Sequence, residues 1–128
     1  MDIKEISKEI NKNAHDKGFW DEGIDIPKKL LLAVSELCEA MEADRKDRNT
    51  DTNYLDEMIA EGYTWKNSEY SFINSFEKSI KDSFEDELAD AAIRIFDLAF
   101  EMGIDLPKHI EMKHRYNCTR PKMHNKKY

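Results

Sequence analysis

The chain has few residues of the types that favour turns and strands. Its 128 residues include only four glycines, three prolines and two cysteines. No segment alternates apolar and polar residues over the length of a strand, and the two cysteines, Cys38 and Cys118, form no metal-binding pattern. The composition therefore predicts one all-α domain over residues 1–128, built as a bundle of four to five helices.

Long apolar runs are also missing. The longest, from Leu30 to Val34, is too short to span a bilayer. The N-terminal sequence MDIKEISKEI is charged and lacks the apolar segment of a signal peptide. Cys38 lies in an apolar helical segment, where we expect a reduced thiol in the core. We therefore expect a cytoplasmic protein without a membrane partner.

Acidic residues are absent after Glu111. The six basic residues that follow contribute +6 to a total net charge of −7, so residues 1–112 carry −13. A chain with an acidic body and a basic tail is not expected to bind nucleic acid over its whole surface. The asymmetry suits a site that binds a metal ion with one part and phosphate with another.

Two pairs of carboxylates have helical spacing, in the sequences Glu36-Leu-Cys-Glu39 and Glu87-Leu-Ala-Asp90. Residues three apart share a helix face, so two such helices side by side bring four carboxylates together. A divalent metal ion usually compensates such a concentration of charge. The spacing alone is weak support, because the chain has at least seven acidic pairs of this kind.

The surroundings distinguish these two pairs from the others. The segment 30–43 is apolar nearly all round, which is typical of a buried helix. In the segment 84–102 apolar residues cover more than half of the circumference, and one stripe holds most of the polar residues: Asp86, Glu87, Asp90, Arg94, Asp97 and Glu101. This stripe predicts a metal or polar-ligand site, with a plain surface stripe as the alternative. Asp97 is a candidate for a further ligand, or else the partner of Arg94.

Helical periodicity and capping signals predict the order of the elements. Helices are expected over 3–17, from Asp25 and Pro27 to Arg45, over 69–102 with a kink near Asp82, and from Asp105 to Asn117, with a short helix over 54–61. The segments 23–28 and 103–108 have similar sequences, GIDIPK and GIDLPK. They indicate either an internal duplication or two uses of the same helix-start signal.

The motifs, taken in order, resemble those of the MazG-type all-α nucleoside triphosphate pyrophosphohydrolases. The similarity rests on ELCE at 36–39, ELAD at 87–90, KHRYNCTRP at 113–121 and HNKK at 124–127, and it covers residues 25–41 and 84–128. It implies that Glu36, Glu39, Glu87 and Asp90 bind Mg²⁺, for which Mn²⁺ can substitute. It also implies hydrolysis of a (deoxy)nucleoside triphosphate at the α–β bond, giving the monophosphate and pyrophosphate.

The resemblance implies further roles. Glu36 or Glu39 is expected to orient or deprotonate the attacking water. The phosphate contacts are expected from Lys113, Asn117, Arg120, Lys126 and Lys127. The nucleobase is expected near His15, Phe19 and Trp20. Purely structural roles stay open for these residues, because basic side chains at a helix C-terminus also complement its dipole and both aromatic residues also suit core packing.

The connection between the motifs departs from the family. The 47 residues between Glu39 and Glu87 exceed the usual length, and the aromatic insertion at about 46–82 is expected to extend a dimer interface or to cover the nucleotide. The buried character of segment 84–102 predicts a homo-oligomer, either a homodimer or a homotetramer. Two other functions stay open: a phosphoribosyl-ATP-type pyrophosphohydrolase on the same scaffold, and a non-catalytic helical interaction protein.

Overall fold

The computed structural model describes residues 1–51, 53, 56 and 69–127, without the side chains of 69–71, 124 and 125. The helices are α1 (Ile3–Asp16), α2 (Ile26–Arg45), α3 (Glu69–Ser79), α4 (Phe84–Glu101) and α5 (Leu106–Cys118), followed by a short 3₁₀ helix, Lys122–Asn125. These residues contain no strand, so the all-α prediction is confirmed. The helix predicted over 54–61, except for residue 56, lies outside the described residues, as does the part of the 46–82 insertion between 57 and 68.

Contacts along the chain define two compact units. The terminal unit comprises Met1–Ile24 and Phe96–Tyr128, and the central unit comprises Asp25–Ile95. The single domain over residues 1–128 stays a prediction. None of the helices within the described ranges has the combined length and apolar content that a membrane span requires.

The two similar GIDxPK segments start helices in the same way. Asp25 caps α2 by accepting a hydrogen bond from the Lys28 backbone N–H at 3.0 Å, and Asp105 caps α5 by accepting one from Lys108 at 3.3 Å. Each helix also has a proline in its first turn. Both segments therefore act as helix starts, as predicted, and the choice between a shared start signal and an internal duplication stays open.

The continuous kinked helix predicted over 69–102 is wrong, because α3 and α4 are separate helices. Asp82, between them, has a φ of 60°, which a helix cannot accommodate. Ser83 then begins α4, since its Oγ accepts the Asp86 backbone N–H at 3.2 Å. The Arg48 side chain donates to the Asp82 carbonyl and so ties the segment after α2 to this junction.

The expectation that α2 is buried on nearly all sides is wrong for the single chain. Its buried residues are Ala33, Glu36, Ala40 and Ala43, which share one face. Five of its large apolar residues are at least half exposed: Leu30, Leu31, Val34, Leu37 and Met41. Cys38 is exposed as well, which contradicts the predicted core thiol. Alanine side chains are short, so this face of α2 permits close helix packing.

Helix α4 differs from its prediction in the same way. Leu88, Ile93, Ile95 and Phe100 are each more than 40% exposed, whereas Glu87 and Asp97 are buried. Part of the polar stripe of α4 is thus buried, although Asp90 is exposed, and these four large apolar residues lie on the surface of the chain. The buried side chains of α4 therefore include acidic ones, which single it out as a candidate for the functional site.

Candidate metal centre

Three carboxylates meet within the central unit. Glu36 and Glu39 come from successive turns of α2 and Glu87 comes from α4, and one carboxylate oxygen of each lies within 4.8 Å of the others. The three-residue spacing in α2 places both of its glutamates toward α4, as the sequence predicts. We call these three residues together with Asp90 the open cluster.

Glu87 has the most unusual environment in the open cluster. Only 5% of its surface is exposed, and Glu36 is 7% exposed. Burial raises the pKa of Glu87 above its ordinary value, and the charges of Glu39 and Asp90 raise it further. Across the described part of the chain, no hydrogen bond or ion pair reaches the Glu87 carboxylate. Among the described residues no fully buried side-chain oxygen lacks a hydrogen-bond partner, so the Glu87 carboxylate is open to water. The crowding of like charges around it favours a cation beside it.

Asp90 lies at the edge of the cluster rather than within the close group of three. Partial desolvation raises its pKa, as do the charges of Asp86 and Glu36, while Arg94 opposes the shift. The field of Glu36 and Glu39 therefore reaches Asp90 even though its oxygens lie outside the 4.8 Å group.

One cation contacts the cluster directly. Arg94 Nε and Nη2 both lie against Glu36 Oε1, at 3.0 and 2.9 Å. Of the residues that the structure describes, Arg94 alone forms an ion pair with a member of the open cluster. This contradicts the suggestion that Arg94 pairs with Asp97.

The donor set suits a hard divalent cation. Mg²⁺ and Mn²⁺ prefer carboxylate oxygens and water, and opposite ligands in an octahedral Mg²⁺ site lie about 4.2 Å apart. Oxygens within 4.8 Å of one another need only a small adjustment to share an ion. The residues present therefore fit the metal that the resemblance implies.

A second acidic cluster occupies the terminal unit. Asp97 Oδ1 accepts hydrogen bonds from Asn11 Nδ2 at 2.9 Å and from Trp20 Nε1 at 3.1 Å. Glu101 Oε2 lies 2.9 Å from Asn11 Nδ2 and 2.8 Å from His15 Nε2. We call these five residues the paired cluster. Because Asp97 already accepts hydrogen bonds from two side chains, its geometry does not favour the predicted role of metal ligand.

The predicted base-recognition residues belong to this paired cluster. Trp20 is buried, and its ring stacks on that of His15 with centroids 6.0 Å apart and an interplanar angle of 25°. Phe19 is exposed. The buried indole indicates core packing for Trp20, while the exposed half of His15 leaves a polar ring accessible. The role of His15 and Trp20 in binding a base stays a prediction.

Two of the predicted phosphate-binding residues lie against one ring in the terminal unit. Lys113 Nζ is 5.1 Å and Arg120 Cζ is 5.7 Å from the centroid of Tyr116. Asn117 is half-buried, and Lys126 and Lys127 are exposed. Over the described ranges, neither Lys113 nor Arg120 forms an ion pair, so both charges remain available to an anion.

Sequence reasoning missed the contacts of Arg94 and Asn11. Arg94 follows Asp90 by four residues, and this spacing places it on the cluster side of α4. Asn11 is a buried polar residue beside the predicted core face of α1, and its position next to Ile10 was the available signal.

Comparison with models of protein families, with curated proteins and with solved structures returned no match for this chain.

Proposed function

We propose that the protein is a metal-dependent pyrophosphohydrolase that cleaves a (deoxy)nucleoside triphosphate into the monophosphate and pyrophosphate. The observation that carries the proposal is the close approach of three carboxylates, those of Glu36, Glu39 and Glu87, whose like charges help to raise the pKa of Glu87. The resemblance of the ELCE and ELAD motifs to MazG-type enzymes supplies the reaction.

In this proposal Glu36, Glu39, Glu87 and Asp90 hold Mg²⁺ or Mn²⁺. When bound, the metal neutralises phosphate charge and lowers the pKa of a coordinated water. Glu36 is occupied by Arg94, whereas Glu39 is exposed and makes no hydrogen bond to the described residues. Glu39 is therefore the carboxylate that we assign to orienting the attacking water.

Phosphate binding is assigned to the basic residues of the terminal unit. Tyr116 supports Lys113 and Arg120 through cation–π contacts, which restrain both side chains without consuming their charge. Asn117, Lys126 and Lys127 complete the proposed set. Arginine offers paired N–H donors to phosphate and lysine a compact charge, so together they suit a polyphosphate.

A panel of nucleotides tests the proposed reaction. Purified protein is incubated with each NTP and dNTP, and with phosphoribosyl-ATP, in Mg²⁺ or Mn²⁺, and pyrophosphate and monophosphate are quantified. We expect equal amounts of both products from at least one nucleotide, and none in EDTA. Folded protein that is silent across the panel would reject the enzymatic function. Release of orthophosphate instead would reject cleavage at the α–β bond.

We also propose that a second copy of the chain covers the exposed face of α2. Leu30, Val34, Leu37 and Met41 recur at alternating steps of four and three residues, which is the spacing of a helix-packing seam. Each is at least half exposed, and a contiguous apolar stripe of this kind marks an interface. A homodimer or homotetramer would bury it.

Light scattering at micromolar concentration tests this assembly. We expect at least a dimer for the natural sequence and a smaller species for Leu37→Lys, because a charge in the seam must be desolvated on association. A strictly monomeric natural sequence would reject the homo-oligomer.

A further inference from the structure

We propose that Arg94 is a positioning residue that holds Glu36 in the orientation needed to bind the metal ion. The inference rests on the proposed function, because it concerns the same open cluster. It adds a residue that the ELCE and ELAD motifs do not contain. It also assigns to Arg94 a role through Glu36 rather than a contact with substrate.

The geometry of the contact leads to this role. Two nitrogens of Arg94, Nε and Nη2, approach the same oxygen of Glu36, Oε1, at 3.0 and 2.9 Å. Within the described residues no hydrogen bond reaches the second oxygen, Oε2. Arg94 therefore fixes one oxygen of the carboxylate and leaves the other for a cation. Hydrogen-bonded partners commonly orient metal-binding carboxylates in this manner.

Burial makes the contact restrictive. The Glu36 side chain is 9% exposed and that of Arg94 is 33% exposed, so the contact lies mostly away from water. Buried alanines at positions 33, 40 and 43 share the face of α2 on which Glu36 lies, so this face packs against the rest of the chain. An orientation fixed before binding reduces the entropy that metal binding would otherwise cost.

Positioning and simple charge neutralisation predict opposite effects on metal affinity. If Arg94 only lowered the net charge of the cluster, its removal would strengthen cation binding, because the remaining carboxylates would attract the ion more strongly. If Arg94 orients Glu36, its removal weakens binding, by roughly 10- to 100-fold for partners of this kind. The sign of the change separates the two.

Mn²⁺ binding to the full chain, followed by the paramagnetic resonance signal of free Mn²⁺, tests the inference without an activity assay. We expect Arg94→Met to raise the Kd for Mn²⁺ by about tenfold or more. Arg94→Lys keeps one donor and should recover part of the affinity. Arg45→Met is the matched control, since it removes the same charge from an exposed side chain of α2 that pairs with Glu42, and its Kd should stay within about twofold of the natural value.

A double-mutant cycle shows whether Arg94 acts through Glu36. In a Glu36→Gln background, Arg94→Met should change the Kd by less than about threefold, because the oriented carboxylate is already gone. Circular dichroism of each variant verifies that it is folded, and the Glu36→Gln/Arg94→Met pair avoids leaving a buried charge unpaired.

Two results would overturn the inference. One is an Arg94→Met protein that binds Mn²⁺ as tightly as the natural sequence, or more tightly. The other is a full effect of Arg94→Met in the Glu36→Gln background. Failure of the natural sequence to bind Mn²⁺ would reject the metal site of the proposed function and the inference with it, and that outcome is recognised before any variant is compared.

Discussion

Helix α4 contributes acidic residues to two clusters with opposite character. In the open cluster, Glu87 is buried among Glu36, Glu39 and Asp90, and these like charges add to the burial that raises its pKa. In the paired cluster, Asp97 is also buried but accepts hydrogen bonds from Asn11 and Trp20. On the same helix, Glu87 therefore has no hydrogen-bond donor among the described residues, whereas Asp97 has two.

The comparison shows that burial of an acid does not by itself indicate a metal ion. A buried carboxylate needs donors or a cation, and the surrounding side chains decide which of the two it requires. Asn11 and Trp20 meet that need for Asp97 within the chain. Arg94 pairs with Glu36, whereas within the described residues no donor reaches Glu87, whose neighbours are like charges. The open cluster is thus the candidate site, and the paired cluster is a structural element.

The largest expected effect is the loss of hydrolysis on changing Glu87 to Gln. The substitution keeps the shape of the side chain but removes a negative charge from the closest group of carboxylates. We expect kcat/KM for pyrophosphate release to fall by at least about 100-fold, because metal-bound groups act mainly on the transition state. Steady-state kinetics with the best nucleotide of the panel provide the measurement.

Glu42→Gln is the control for this prediction. Glu42 lies on α2, is exposed and pairs with Arg45 and Lys46. Its loss should leave kcat/KM within about twofold, because exposed ion pairs contribute little. Equal losses in both variants would remove the distinction between the open cluster and the ordinary acidic surface.

The next largest effect concerns the stability that the paired cluster contributes. Asp97→Ala removes the acceptor of Trp20 Nε1 and one of the two acceptors of Asn11 Nδ2, which keeps Glu101, and both residues are buried. Such losses cost about 2–4 kcal/mol of the free energy of unfolding, measured by urea denaturation. The Kd for Mn²⁺ should not change.

Asp16→Ala is the matched control for Asp97. It removes an exposed aspartate of α1 that pairs with Lys12 in the preceding turn, and it should cost about 0.5 kcal/mol or less. A weaker affinity for Mn²⁺ in Asp97→Ala would contradict the assignment of the two clusters to different tasks.

Much of the fold follows from local sequence signals, because these act within one helix. Asp25 and Asp105 define the starts of α2 and α5 through their own side chains. The break between α3 and α4 was only partly predicted. It depends on the left-handed conformation of Asp82 and on Arg48, which lies 34 residues away in the sequence. Contacts over such separations have no local signal.

The sequence predicted the spacing of the carboxylates in the candidate site, but it did not predict the side chains that surround them. The three-residue spacing places Glu36 with Glu39, and the apolar context of α4 indicated that Glu87 is buried. Which acid has a partner depends on tertiary contacts: Arg94 contacts Glu36 from another helix, and no donor from the described part of the chain reaches Glu87. The sequence also could not reveal that the large apolar residues of α2 lie on the surface of the chain, because periodicity does not identify which face is covered.

A smaller effect is expected in the pH dependence of the metal-free protein. The pKa of Glu87 is raised in the folded state, so the folded protein retains a proton that the unfolded chain has already released. Stability should therefore decrease as the pH rises from about 5 through the raised pKa of Glu87, and the decrease should be complete above it. Urea midpoints in EDTA between about pH 5 and pH 8 measure the slope.

Glu87→Gln should reduce this slope, because the amide does not titrate, while the raised pKa of Asp90 leaves a contribution of the same sign. Lys46 lowers the pKa of Glu42, and Lys4 lowers that of Asp105. The stability that these two acids contribute is therefore lost only below about pH 5, outside the measured range. A slope that is unchanged in Glu87→Gln would assign the pH dependence to other groups and would weaken the contrast between the clusters.

The smallest change in stability is expected at the exposed edge of the paired cluster. His15 Nε2 lies 2.8 Å from Glu101 Oε2, but the His15 side chain is 50% exposed, so its replacement by Gln should cost less than about 1 kcal/mol. If the accessible ring also contacts the nucleobase, KM should rise roughly tenfold while kcat changes little, because a contact present in both ground and transition states affects binding alone. Lys12→Gln, which alters an exposed ion pair of the same helix, should leave both constants unchanged. An unchanged KM in His15→Gln would limit His15 to the structural role that its hydrogen bond to Glu101 already explains.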